Sequence, residues 1–434
     1  MSPIAIGLSL LALFALGVPI AISLAGTAAL SMQASGIPLQ ALVQRMFAAL
    51  DSFPLTAIPF FILAGALMEA SGISRRLINF AQALVGRAIG GLGLVTVVSA
   101  MFFAAISGSS AATTAAIGGT LIPAMVRRGF PRPFATSVQA ASGELGVIIP
   151  PSIPMIIFAL TAGVPVSIGS LFIAGVIPGL LIGGSLLLTV HVISRLRGYG
   201  QVTPRATAGE IGEPEGVLRS FRDALLPLLL PVIILGGIYG GIFTPTEAAA
   251  VGVIYGFIVG AFVYRELDLK SLYRIFAGSA LTSATIMLIV GTATIFGRAL
   301  AIERVPVMLA NAITSTIDQA WLLLLAINVI LLIVGTFMET IAAIIILTPI
   351  LLPLVTALGI SPEHFGIVMI VNLAIGMVTP PVGVNLFVAS RVAGLSLETV
   401  VKGAITPMLV MIVVLMIITY VPALSLALPA LFGM

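Results

Sequence analysis

Hydrophobic runs of roughly 17–25 residues recur from one end of the chain to the other, which is the length of a membrane-crossing helix and predicts an all-helical, polytopic membrane protein. Two interruptions do not suit a helix that merely spans a bilayer. The small polar cluster Ser107-Gly108-Ser109-Ser110 sits in the middle of one run, and the double proline of Gly146 to Ser152, GVIIPPS, breaks another. The pattern returns in the second half. Pro123 and Pro353 are 230 residues apart, as are Pro150-Pro151 and Pro380-Pro381, the later copies following Gly335 to Thr340 and lying in GMVTPPVG. Matching broken helices in two half-chains are the sequence pointer to a secondary transporter's binding site.

Taken in order, the pattern predicts short apolar segments over 3–17 and 19–34, joined at Gly17-Val18-Pro19. An interfacial stretch over 35–53, a span over 53–68 and an amphipathic surface helix over 72–90 follow. A re-entrant hairpin is expected over 91–126, with Arg87 before it and Arg127-Arg128 after it and its tip at Ser107 to Ser110; the rival is a simple span, whose centre would carry three serines and a glycine. A span over 134–160 breaks at Pro150-Pro151, and another covers 168–194. The arginine-rich loop over 195–222, the longest hydrophilic stretch, is cytoplasmic by the positive-inside rule and links the halves. Beyond it, Thr244-Pro245-Thr246-Glu247 has the form of a capping box opening a span to Tyr264. A span over 276–297, a second surface helix over 298–318, a second hairpin over 320–356, a span over 364–390 broken at Thr379-Pro380-Pro381, and a last span to about Pro422 complete the chain. The division expected is a first repeat over 1–195, a linker over 196–222 and a second repeat over 223–434. Five crossings per half make the repeats inverted and put both termini in the periplasm, with Arg45 on the side the rule disfavours.

Composition sharpens this reading. Of the 434 residues, 60% are hydrophobic and 8% charged, against about 25% charged in a soluble domain. The absence of cysteine excludes disulfides, thiol catalysis and thiolate metal sites, and the two histidines, His191 and His364, stand apart. There is no HExxH, Walker A or GxSxG run and no convergent His, Asp or Ser set, so ATP hydrolysis and membrane-embedded enzyme chemistry have no support. The net charge of +4 comes from arginines near helix ends, a mark of topology and not of nucleic-acid binding.

The broken helices dictate the chemistry. Helix N-termini inside a membrane present N–H donors suited to an anion, and C-termini and unwound turns present carbonyl oxygens suited to a hard cation such as Na⁺. Ser107, Ser109 and Ser110 are candidates for such a site, with helix packing as the alternative. Glu144, before the first break, and Glu339, at the second tip, are candidates as intramembrane carboxylates, the alternative being a neighbouring partner or the interface. Arg298 is a candidate for a substrate carboxylate or an interface anchor. Asn372 and Asn385 flank the second break as polar lining, while His191 and Trp321 read as structural and interfacial.

The run Gly240 to Ala250, GGIFTPTEAAA, closely resembles a stretch characteristic of the large membrane subunit of TRAP transporters, the DctM-like family. So do Ala105 to Ala111 (AISGSSA), Ile149-Pro150-Pro151-Ser152, Thr379-Pro380-Pro381-Val382-Gly383 and the opening Leu16-Gly17-Val18-Pro19-Ile20, in order along essentially the whole chain. The resemblance implies a Na⁺-driven importer of organic acids, C4-dicarboxylates or sugar acids among them, in the bacterial inner membrane, working by an elevator movement of a domain that contains both hairpins. It implies two partners, a small four-helix membrane subunit, expected as a separate polypeptide because the chain begins directly at the first large-subunit span, and a periplasmic substrate-binding protein. It implies sodium sites at Ser107, Ser110, Gly146, Ile149 and Pro151 in the first half and Gly335, Gly376 and Thr379 in the second. It places substrate contacts near Ser109 and Glu339. A free-standing carrier that needs no binding protein is the alternative within transport, and a channel-like protein the alternative outside it.

Overall fold

The computed structural model describes residues 2–200, 216–305, 308 and 319–433, and every described element is a helix. Among the described residues, eight helices are long and apolar enough to cross a membrane, or nine if the bent pair Arg132–Ile148 and Ile153–Thr161 counts as one span. The linker residues 201–215, with Arg205, Glu210, Glu213 and Glu215, and the 309–318 part of the expected second surface helix, with Asp318, lie outside the described residues.

The first half runs α1 (Pro3–Ala15), α2 (Ile20–Ala34), α3 (Leu39–Leu50), α4 (Ala57–Ala70), α5 (Ile73–Val85), α6 (Gly91–Ser107), α7 (Ser110–Arg127), α8 (Arg132–Gly143), α9 (Leu145–Ile148), α10 (Ile153–Thr161) and α11 (Ile168–Arg197). The second runs α12 (Val217–Tyr239), α13 (Pro245–Ile258), α14 (Leu269–Ile302), α15 (Ala320–Phe337), α16 (Thr340–Ala357), α17 (Pro362–Gly376), α18 (Val384–Ala393), α19 (Leu397–Tyr420) and α20 (Ala423–Leu431). The helix starts at Ser110 and Thr340, and at Arg132 and Pro362, keep the 230-residue offset of the double prolines. The series hairpin, helix, break, helix thus occurs twice.

Local chemistry sets these boundaries. Thr244 and Glu247 form the expected capping box: the Thr244 Oγ1 accepts from Glu247 N at 3.3 Å and the Thr244 N–H donates to Glu247 Oε2 at 2.8 Å. Asp268, an N-cap outside the spanning segment, accepts from Ser271 N at 2.8 Å, and bonding to Ser271 holds its carboxyl below the usual carboxylate range. The cap starts α14 earlier than the hydropathy suggests, and Gly297 does not interrupt it, so Arg298 sits on one 34-residue helix and not on a separate surface helix. The amphipathic α5 buries Ile73, Leu77, Ile78 and Phe80, and its Arg76 pairs with Glu266 at 3.2 Å and stacks on Tyr264.

Helix pairing crosses between the halves. In one group α4 packs on α13 and α2 on α14, with α3, α5 and α12 alongside. In the other, the second arm of each hairpin packs on the post-break helix of the opposite half, α7 on α18 and α16 on α10. There too α8 lies against α19 and α17 against α11. Lipid offers no hydrophobic drive between helices, so close backbone approach and buried polar contacts carry much of this packing. Two examples stand out. At the α8–α19 crossing a Cβ on Gly403 would lie 2.8 Å from the Pro133 carbonyl oxygen. Between α15, α17 and α19, the Asn372 amide donates to Asn328 Oδ1 at 2.6 Å, and the Asn328 amide donates to Thr419 Oγ1 at 3.2 Å. Buried His364 extends this chain, its ring nitrogens lying 3.1 Å from the Thr419 carbonyl and 2.6 Å from Ser425 Oγ.

Two outcomes follow for thermal melts of the detergent-solubilised protein. Gly403→Ala forces backbone apart and costs about 1–3 kcal/mol, whereas Gly278→Ala, with nothing within 4 Å of its Cβ position, leaves the melting temperature unchanged or raises it. Asn372→Ala strips the Asn328 oxygen of its donor in a buried setting and lowers stability by about 1–3 kcal/mol; an unchanged melt would show that the polar chain contributes nothing.

Candidate functional site

The two hairpin turns and the two helix breaks meet in one place. At the first turn Gly108 closes α6 with φ +60°, a left-handed conformation suited to glycine. Its Cβ position lies 3.3 Å from the Pro151 carbonyl oxygen, so the tip rests on the first break. Ser107 Oγ lies 3.0 Å from Thr113 Oγ1, which donates to the Ser109 carbonyl at 2.8 Å, and Ser109 caps α7 through Ala112 N. Gly146 faces the same group: a Cβ there would sit 2.3 Å from Ser109 O and 2.6 Å from Thr113 Oγ1. Ser107, Ser110, Gly146 and Pro151 are buried, while Ile149 and Ser109 are partly exposed.

The second turn has a different cap. Glu339 precedes α16 and its Oε2 accepts from Ile341 N at 2.9 Å and Ala342 N at 3.3 Å, while the residue stays exposed. Gly335 and Gly376 bring α15 and α17 into backbone contact, a Cβ on Gly376 falling 2.5 Å from the Gly335 Cα. The Gly383 N–H donates to the Thr336 carbonyl at 2.9 Å, tying the second break to the second tip, and Thr379 Oγ1 donates to Ile375 O at 2.7 Å. Thr379, Pro380 and Pro381 are at least partly exposed, whereas Pro150 and Pro151 are buried, so the site opens more on the second-half side.

Met377 joins the tips. Thr340 Oγ1 reaches its sulfur at 2.9 Å and Ser110 Oγ at 3.9 Å. Four helices therefore start around this place (α7, α10, α16 and α18) and four end there (α6, α9, α15 and α17). N–H donors and carbonyl acceptors face one another without a basic side chain among the residues just described.

The sequence-predicted residues divide. Ser107, Ser109, Ser110, Gly146, Ile149 and Pro151 gather at the first tip and break, and Gly335, Glu339, Gly376 and Thr379 at the second. Asn372 is fully buried on α17 with its amide committed to Asn328. Arg298 lines, with Arg45, Ala48, Ala49, Thr294 and Ile295, a crevice of about 410 Å³ between α14 and α3, and no tip residue lines that crevice. Met377, Thr113 and Thr340 were missed. The first lies where a 230-residue offset points to Val147, beside the first break, which is the one sequence cue that marked it.

The comparisons with known proteins agree with one another. Residues 8–424 match the family model described as the tripartite ATP-independent periplasmic transporter, DctM component. The isethionate TRAP transporter permease protein DctMQ of Oleidesulfovibrio alaskensis is 50% identical over 94% of this chain, which spans 63% of that relative's length. The C4-dicarboxylate TRAP transporter large permease protein DctM of Pseudomonas aeruginosa is 45% identical over 91% of this chain and 90% of its own. The sialic acid TRAP transporter large permease protein SiaM of Vibrio cholerae is 40% identical over 90% and 89%. Among solved structures, the Alcanivorax borkumensis YdaH transporter matches with TM-score 0.63 at 16% identity, covering 91% of this chain and 89% of its own, a likeness of fold. With the family model covering nearly all of it, the chain belongs to the DctM component family of tripartite ATP-independent periplasmic transporters, as a polytopic helical permease.

Proposed function

We propose that this chain is the large permease subunit of a Na⁺-coupled, binding-protein-dependent importer of a small organic acid in the bacterial inner membrane. The observation that carries the reading is the meeting of both hairpin tips and both helix breaks around Met377. The relatives bear the names of transporters of isethionate, C4-dicarboxylates and sialic acid, all organic anions, which supports an anionic substrate here. N–H groups opening α7 and α18 offer donors to such an anion without a buried countercharge, while those opening α16 are taken by Glu339. Ser109 and the exposed Glu339 stand at the open side of the site, where a substrate polar group makes contact.

The first-half residues fit a coupling ion. Gly146 lets the first break bring its backbone directly against Ser109 O and Thr113 Oγ1, so oxygen atoms of the tip and of the break lie side by side. Ser107, Ser110, Gly146, Ile149 and Pro151 would hold one Na⁺ there, and Gly335, Gly376 and Thr379 another at the second break. A bound Na⁺ supplies positive charge beside the anion. The hydroxyls and carbonyls of this chain orient that charge, and the hairpin turns keep water-exposed backbone away from lipid.

The two groups of packed helices support the elevator reading. The group of α2, α4, α13 and α14 acts as a scaffold against the membrane, and the group with both hairpins carries the site across it. The two series are inverted repeats. A small four-helix membrane subunit and a periplasmic substrate-binding protein complete the system.

The test is uptake of labelled carboxylates and sulfonates by proteoliposomes holding this chain and its small subunit, with and without binding protein, under Na⁺ or K⁺ gradients. Uptake requiring both Na⁺ and the binding protein is expected. Uptake indifferent to the binding protein, or driven by a proton gradient alone, would overturn this assignment. In the same assay Glu339→Ala lowers the apparent affinity of transport at least tenfold, a loss of about 1.4 kcal/mol of binding.

A further inference from the structure

Unpartnered oxygen atoms gather at a buried place that the coupling-ion sites above do not use. Glu144, at the junction of α8 and α9, is fully buried, and neither of its carboxylate oxygens has a hydrogen-bond partner among the described residues. Asn385, in the first turn of α18, lies beside it. The Asn385 amide donates to the Ala140 carbonyl at 3.2 Å, and its Oδ1 is unpartnered. Thr114 on α7 adds another such oxygen. Gly143 has no room for a side chain between Thr114 Oγ1 and Asn385 Nδ2, so glycine here lets α7 and α18 close on α8 next to Glu144. Gln139, one turn earlier on α8, fixes its Nε2 on the Thr113 and Thr114 carbonyls at 3.2 and 3.3 Å and leaves Oε1 unpartnered.

An orphaned buried polar atom is costly, and an orphaned carboxylate more so. Orphans scattered singly through a fold cancel against packing; four residues of them in one place, all presenting oxygen, describe an occupant. Oxygen-only donors select a hard cation, and a single carboxylate balances a single positive charge. A divalent ion wants several carboxylates, and no group of three His, Cys, Asp or Glu exists among the described residues. This place is distinct from the first tip. Gly146, which packs on that tip, follows Glu144 by two residues, about 200° around a helix, and it faces Ser109 and Thr113 where Glu144 faces Asn385.

We propose that Glu144, Asn385, Thr114 and Gln139 form a further Na⁺ site, additional to those at the two tips; the proposal rests on the Na⁺-coupled reading and adds an ion to it. Its ligands come from the first hairpin, the first broken helix and the post-break helix of the second half. An ion there clamps the halves of the mobile group together and turns the Na⁺ gradient into the rigidity of the site.

The experiment uses the full chain with its small subunit. Thermal melts are titrated with NaCl against KCl, and the ²²Na⁺-to-substrate ratio is measured in proteoliposomes supplied with binding protein. Glu144→Gln is expected to carry one Na⁺ fewer per substrate and to flatten the Na⁺ dependence of both melt and uptake. Thr114→Val, which removes one oxygen and keeps the shape, is expected to raise the Na⁺ midpoint several-fold in both readouts, and it carries the test if Glu144→Gln fails to fold. Wild-type stoichiometry in Glu144→Gln, or a wild-type Na⁺ midpoint in Thr114→Val, would overturn the site. A wild-type protein whose melt and uptake both ignore Na⁺ would instead remove the coupling reading, and this site with it.

Discussion

Hydrocarbon gives an open backbone group nothing to bond to, and that constraint governs this molecule. Two turns and two double-proline breaks interrupt its helices, and each exposes N–H and C=O groups that the helical ladder cannot serve. They survive because each interruption is set against another. The first tip rests on the first break through Gly108 and Pro151, and the second break is bonded to the second tip through Gly383 and Thr336. The two pairs then join at Met377. The polar interior of the permease is the set of groups left facing one another once lipid has been excluded.

Close backbone approach follows from the same constraint. Gly335 and Gly376 touch where any side chain would separate α15 from α17, and Gly146 lets α9 close on Ser109. The residues doing this are chemically plain, so under the proposed function selectivity for an ion or an anion would come from where backbone is held and not from an array of charges. Glu144 and Glu339 are the two carboxylates near this place, and they are handled differently. Glu339 is exposed and satisfies two N–H groups of its own helix, while Glu144 is fully buried.

Much of this was legible because proline, glycine and serine act locally. The double prolines marked both breaks, the serine cluster marked one tip, and Thr244 to Glu247 marked a helix start whose hydrogen bonds are as expected. The hairpin helices fall within a residue or two of the predicted ranges for the same reason. Contacts between the halves leave no such imprint. Nothing periodic in the chain announces that α2 seeks α14, that Asn372 spends its amide on Asn328, or that Asn385 lies against Glu144. Arg298 was ambiguous because a charge near a helix end reads the same whether it faces a substrate, a crevice or a headgroup, and only the tertiary packing places it beside Arg45.

The crossed pairing of helices bears on how the protein is made. When the ribosome has released the first half, α2 and α4 still lack α14 and α13, and α8 and α10 still lack α19 and α16. Each break has its own half's tip against it, but α7 and α10 lack α18 and α16, so the packing of the first half is completed only after residues some 230 positions later have entered the membrane. Insertion and folding are therefore separate events here. The first half waits in the bilayer as an unfinished template, and the second closes it from within.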